Sequence, residues 1–290
     1  MSGNRNITIG LAQMTHRGEE NLDHAVRLIR EACGRGARIV CLQELFRGAY
    51  FCQREDAQYF SLAEEIPGPT TAKLCPLAAE LEIVIIAPLF EKRAEGIYHN
   101  TAVVIDADGT IAGRYRKMHI PDDPCFYEKF YFTPGDTGFE SFPTRYGRVG
   151  VLICWDQWFP EAARLCALSG AQFLFYPTAI GFQNADAGEA QKQHAAWETM
   201  QRSHAIANGV FVAAVNRAGR EDALTFWGQS FVCDPFGEVI ARAAEDREEL
   251  LIAECDLSQI EETRRSWPFF RDRRTDAYQG LTRIYLDRNE

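Results

Sequence analysis

Apolar positions along this chain follow two periods in turn, one of two residues and one of three to four. The alternation in Ile7-Thr-Ile-Gly-Leu-Ala-Gln13 predicts a strand, because side chains of extended backbone point to opposite faces in turn. From Asn21 to Cys33, the residues Leu22, Ala25, Val26, Leu28, Ile29 and Ala32 share one helical face. Gly34 and Gly36 close that helix. Apolar runs at 37–42 and 83–90 predict buried strands. A helix over 70–81 lies between them, behind the Pro67-Gly-Pro69 turn. Residues 100–111 predict two strands around Asp106-Ala-Asp-Gly109, whose Asp-Gly supplies the turn. Later runs predict strands at 149–154, 172–176 and 210–215, and helices at 160–169 and 194–208. A last hairpin over 230–240 turns at Asp234-Pro-Phe-Gly237. A short helix capped by Ser258 runs to Arg265, and an Arg- and Asp-rich tail follows.

No Gly/Ser/Pro linker, low-complexity segment or fixed-period repeat interrupts this pattern. The expectation is a single α/β domain spanning residues 1–290, with residues from about 266 to 290 as a C-terminal arm. A hydrophobic content of 46% suffices for a sizeable core. The net charge of −10 argues against nucleic-acid or anionic-membrane partners, which require clustered Lys and Arg. No apolar run has the length of a membrane span, and the first residues lack the basic-then-apolar pattern of a secretory leader. Nine scattered cysteines form neither a disulfide framework nor a CxxC metal pair. They fit a reducing, cytoplasmic setting, where most would be small buried hydrophobes. The six histidines include no HExxH, and no metal or cofactor is expected.

Three segments deliver reactive side chains to strand ends, where α/β folds place their ligands. In Cys41-Leu-Gln-Glu44 a carboxylate follows a buried strand. It is either a helix cap or surface acid, or a group tuned for chemistry. In Gly113-Arg-Tyr-Arg-Lys117-Met-His119, alternation sets Tyr115, Lys117 and His119 on one face. It leaves Arg114 and Arg116 on the other as solvated charges. His119 reads equally as a satisfied core histidine or as a ligand contact. The third segment, Val149-Gly-Val-Leu-Ile-Cys154-Trp-Asp-Gln-Trp-Phe-Pro160, carries a thiol to a sharp strand-to-helix junction. Cys154 is either one more buried cysteine or a nucleophile. Near a helix start and a lysine, it is expected to ionise more readily than a free cysteine.

Taken together and in this order, Glu44, Lys117 and Cys154 resemble the Glu-Lys-Cys triad of the nitrilase (carbon–nitrogen hydrolase) superfamily. The resemblance covers almost the whole chain. It includes Gly10-Leu-Ala-Gln-Met14, Val40-Cys-Leu-Gln-Glu-Leu-Phe46, Tyr115-Arg-Lys-Met-His-Ile-Pro121, Phe132-Thr-Pro-Gly-Asp136 and Tyr176-Pro-Thr-Ala179. Phe126-Tyr-Glu-Lys-Phe130 and Cys154-Trp-Asp-Gln-Trp-Phe-Pro-Glu161 extend it toward the branch that acts on carbamoylated diamines. The resemblance implies a four-layer αββα sandwich of two mixed β-sheets and catalysis by Glu44, Lys117 and Cys154. Glu128 would be a fourth acid orienting Lys117 and substrate, and the chain would be a homo-oligomer of two or more copies, paired across outer helices with the C-terminal tail over a neighbour. The backbone N–H of Trp155 would join Lys117 at the oxyanion.

The small-molecule substrate is expected to be a ureido amine, since Trp155, Asp156, Gln157, Trp158 and Phe159 offer aromatics and an acid but no base. Asp156, Asp186 and Glu189 are the candidates for its distal ammonium, the last two being equally readable as solvated loop acids. A β-ureidopropionase-like, ω-amidase-like or nitrile-hydrolysing relative is the alternative within the superfamily. A non-catalytic binding protein of the same fold is the alternative outside it.

Overall fold

In the computed structural model, residues 6–286 are described, apart from the side chains of Glu19, Ala185, Asp186 and Ala187. The first half of the chain lays down β1 (Asn6–Gln13), α1 (Asn21–Gly34), β2 (Ile39–Leu42), α2 (Pro69–Leu81), β3 (Val84–Ala94), β4 (Ile97–Ile105) and β5 (Ile111–Arg116). The second half adds α3 (Glu128–Tyr131), β6 (Ser141–Thr144), β7 (Gly147–Val151), α4 (Pro160–Leu168), β8 (Phe173–Pro177), β9 (Gly181–Gln183), α5 (Ala190–Asn208) and β10 (Phe211–Val215). It ends with β11 (Ala218–Glu221), β12 (Leu224–Trp227), β13 (Phe231–Cys233), β14 (Val239–Arg242), β15 (Glu249–Asp256) and α6 (Ser258–Ser266).

Two mixed six-stranded sheets result, in the orders β15-β1-β2-β3-β4-β5 and β14-β13-β10-β8-β7-β6. Each has three parallel strands at its centre and antiparallel strands at its edges. A small β11-β12-β9 sheet stands beside them. The period of two decides which face goes where. Ile9, Leu11, Ile39, Cys41, Val84 and Ile86 pack into one core with Val149, Val151, Phe173 and Phe175 of the other sheet. The intervening Ala12, Val40, Leu42, Ile85 and Ala87 pack with Leu28, Ile29, Leu74 and Leu77 of α1 and α2. On the far side α4 covers β7 and β8, and α5 covers β10. Helices, sheet, sheet and helices make the expected αββα sandwich.

The structure departs from the sequence pattern at several elements. β15 pairs along the full length of β1, yet it falls between the predicted last hairpin and the final helix. Its apolar run is short and closed in by Glu249, Glu254 and Asp256, so the pairing with β1 supplies what local pattern did not. β6, β9, β11 and β12 are strands of three or four residues, likewise fixed by their partners. β7 ends at Val151, three residues before Cys154. Ser258 is the first residue of α6 rather than its cap, and its hydroxyl donates to Asp256.

Candidate active site

Glu44 leaves the end of β2 and is fully buried. Its Oε1 accepts from Asn100 Nδ2 on β4 at 2.8 Å and from Lys117 Nζ at 2.8 Å, while Oε2 has no partner among the described residues. Lys117 follows β5 directly and is also fully buried. Besides Glu44, its ammonium donates to Glu128 Oε2 at 2.6 Å. An ammonium carries three N–H donors, so these bonds place two of them. Glu128 opens α3, and its Oε1 accepts from the Tyr50 hydroxyl at 2.8 Å. Burial pushes the Glu128 carboxyl up to about 7, and the Lys117 charge works against that rise. Burial works to lower the Lys117 ammonium, but Glu128 and Glu44 more than offset it and hold the lysine charged.

Cys154 starts a 3₁₀ turn, Cys154–Trp158, at a φ of 44°, in the left-handed region that costs a non-glycine residue about 1 kcal/mol or more. Gln157 anchors this turn to α5, its side-chain oxygen accepting from Trp197 at 2.8 Å and Gln201 at 3.1 Å. Burial pushes the thiol well above the usual cysteine range, and Glu44 adds to the rise. Lys117 and the Ala179 backbone pull it back only in part. This corrects the expectation of an easily ionised cysteine. The lysine charge is committed to two carboxylates, and desolvation outweighs what remains.

The face opposite Lys117 is also not as expected. Arg116 is buried, making a bidentate pair with Glu91 at 2.7 and 2.8 Å and reaching Asp136 at 3.0 Å. Arg114 is half-buried beside the same glutamate at 3.4 Å. The segment around Asp136 covers the Arg116 end of that face, while Arg114 keeps part of its side chain in solvent.

Both Asp156 oxygens are engaged inside the protein. The residue is fully buried, and its oxygens accept from the Tyr115 hydroxyl at 2.7 Å, Ile153 N at 2.9 Å, His119 N at 3.0 Å and His119 Nδ1 at 2.7 Å. It ties the cysteine turn to the lysine segment. His119 completes that clamp by stacking on Phe159 at 3.6 Å. Glu189 is exposed and pairs with Lys192 at 3.2 Å. The side chain of Asp186 lies outside those described.

A cavity of about 490 Å³ opens at Cys154, walled by Trp155, Trp158, Phe126, Phe182 and Ile180. Among the described residues its lining holds a single charged side chain, Asp123. Asp123 was missed because Asp122-Asp123 reads as a solvated acidic pair. Asn100 and Tyr50 were missed too, since nothing in a β-strand or a loop marks a group that holds a carboxylate of the site.

A buried carboxylate with one open oxygen, a buried ammonium and a thiol, all at sheet ends beside an apolar cavity, can carry out acyl transfer from an amide. Residues 8–265 match the family model described as carbon-nitrogen hydrolase. The chain is 49% identical to the N-carbamoylputrescine amidase of Oryza sativa subsp. japonica, over 90% of this chain and 89% of that one. It is 40% identical to the citrullinase of Francisella tularensis, over 97% and 99%. A crystal structure of a carbon-nitrogen hydrolase from Helicobacter pylori superposes with a TM-score of 0.93 at 49% identity, covering 97% of this chain and all of that one.

Proposed function

The chain belongs to the carbon–nitrogen hydrolase family, and from that premise we propose that it hydrolyses N-carbamoylputrescine to putrescine, carbon dioxide and ammonia, a putrescine-forming step. Cys154 is the nucleophile, Glu44 the acid/base and Lys117 the cation at the oxyanion. Glu44 Oε2, which lacks a partner, takes the thiol proton as sulfur attacks the ureido carbon. Because the thiol is held protonated, attack and proton transfer proceed together. The oxyanion meets the remaining Lys117 N–H and the Trp155 backbone N–H. Glu44 returns the proton to the departing amine, and the carbamoyl group stays on sulfur as a thioester. Water, deprotonated by Glu44, then displaces the sulfur, which takes that proton back from Glu44 as thiol, and the carbamic acid released breaks down to carbon dioxide and ammonia.

The observation that carries the substrate reading is the cavity at Cys154, apolar with one acid and no base among its described lining residues. An aliphatic chain ending in an ammonium fits such walls. A substrate ending in a carboxylate would leave that charge unpaired. Asp123, an exposed acid in the cavity lining, is the partner assigned to the ammonium, in place of Asp156, whose oxygens are bonded inside the protein. The citrullinase resemblance is the second reading, but citrulline ends in an ammonium and a carboxylate together. A substrate panel tests the assignment. N-carbamoylputrescine should exceed β-ureidopropionate and citrulline in kcat/KM by at least about a hundredfold. Asp123→Asn should raise KM for the diamine substrate at least about tenfold and leave an uncharged ureido-alkane unaffected. Equal rates on cationic and anionic ureido compounds would refute the diamine reading and leave the triad standing.

The whole chain acts as one hydrolase domain with an arm from about residue 266, in an assembly of at least two copies in the cytoplasm. Nine free thiols and a row of exposed apolar side chains on the arm support this part of the reading.

A further inference from the structure

Behind the triad lies a second set of buried charges that the mechanism above does not use. Arg217, just past β10, is fully buried, and the segment after Glu44 wraps around its guanidinium. It donates to the carbonyl oxygens of Leu45 at 2.9 Å, Gly48 at 3.0 Å and Glu44 itself at 3.3 Å, and to Glu221 Oε1 at 2.7 Å. Leu45 has a φ of 49°, so the segment bends through a left-handed residue to make these contacts. Glu221 Oε2 accepts from the Tyr50 backbone N–H at 2.7 Å, and the Tyr50 hydroxyl reaches Glu128. The path closes through Lys117 onto the Glu44 side chain. Two cations and three acids thus form one buried ring that touches both carboxylates of the site.

We propose that Arg217, Glu221 and Tyr50 are positioning residues: the Arg217–Glu221 pair fixes the aim of Glu44, and the Tyr50 hydroxyl keeps Glu128 ionised. The proposal rests on the triad reading above. Arg217 meets Glu44 through its backbone and so governs where the side chain starts. Tyr50 meets Glu128 through the carboxylate and so acts on charge, because a donor to the ionised form favours that form. The groups facing Glu128 are Lys117, Glu44, Tyr50, Cys52 and Cys154, and Lys117 is the only cation among them. Burial already carries Glu128 to about 7, so removing one donor should move its ionisation within the working pH range. Once Glu128 is protonated, Lys117 loses one of its two anionic anchors.

The alternative is that Tyr50 only fills space, since its ring packs on Phe126 and Phe226 with centroids at 5.6 Å in each case. Tyr50→Phe separates the two, because it keeps the ring and removes the hydroxyl. The pH dependence of kcat/KM is measured for wild type, Tyr50→Phe and Arg217→Lys, on N-carbamoylputrescine and on propionamide. For Tyr50→Phe the acid limb should move up by about one pH unit. Its kcat at pH 7 should fall about fivefold while KM changes less than twofold. For Arg217→Lys, which keeps the charge but not the planar fork, kcat should fall at least about tenfold with the limb unmoved. An unmoved limb in Tyr50→Phe overturns the charge role, and so would loss of its fold, which would make the hydroxyl a stability group. Arg217→Lys within twofold of wild-type kcat overturns the aiming role. If wild type turns over propionamide alone, the diamine assignment fails and this proposal is judged on propionamide.

Discussion

At the scale of the residue, Cys154 combines a strained backbone angle with a thiol that burial keeps protonated, and each feature bears on the role proposed for it. Cys154→Ala should lower ammonia release by at least roughly 10⁴-fold, because removing one member of a coupled set removes most of its catalysis. Cys154→Ser should be nearly as inactive. Both should keep the far-UV circular dichroism of wild type and a Tm within about 4 °C of it. Near-normal ammonia release from either would defeat the assignment of the nucleophile. Glu44 and Cys154 stood out in the sequence because each ends an apolar run, where a charged or reactive group is out of place, and Lys117 stood out by its alternation with Tyr115 and by the resemblance. Asp123 could not, because an acid among acids on a loop looks like any solvated charge. Arg116 misled for a related reason: alternation gives a side chain its face, but what covers that face is decided elsewhere in the chain.

Among the elements, the segment carrying Lys117 shows how a distant glycine holds an active group. Gly135 N–H donates to the Lys117 carbonyl at 2.8 Å, and a Cβ on Gly135 would stand 2.0 Å from the Arg116 carbonyl oxygen. Only a residue without a side chain permits that approach. Gly135→Ala should push the end of β5 away, cutting kcat about tenfold or more and lowering Tm by about 5 °C. Unchanged kinetics and melting would show that the two segments part at no cost. The motif Phe132-Thr-Pro-Gly-Asp136 was legible as a resemblance, whereas its reason required the strand beside it. Helices and central strands were legible for the opposite reason, since their periods are written locally. β15 was not, because a strand at a sheet edge draws its order from pairing with β1, more than two hundred residues away in the chain.

Over the whole molecule, the apolar side chains left outside gather toward the end of the chain. Trp267, Phe269, Leu281, Ile284, Tyr285 and Leu286 are all exposed. The arm is tied down where it begins, with Trp267 against Phe236 at 5.3 Å and Arg264 over Phe270 at 4.6 Å. Leu165 and Leu168 of α4 are exposed as well. Surfaces of this kind are usually covered by a partner. Light scattering after size exclusion should give a mass of at least two chains, and removal of residues 267–290 should lower it. A monodisperse monomer at micromolar concentration would count against assembly. The two-sheet sandwich was expected from the resemblance and is what the helix-facing and sheet-facing residues build.

The protonated state of Cys154 has a consequence beyond turnover, in how the protein meets oxidants. Peroxide attacks thiolate, and a resting site that holds its sulfur as thiol offers almost none. In the proposed mechanism Cys154 becomes an anion only as its proton passes to Glu44 during attack, so its reactivity would be spent on substrate and withheld from bystanders. Oxidative wear then depends on access rather than on catalytic power. It should fall first on the half-exposed Cys33 and Cys125, the second of which lies between two residues that line the cavity.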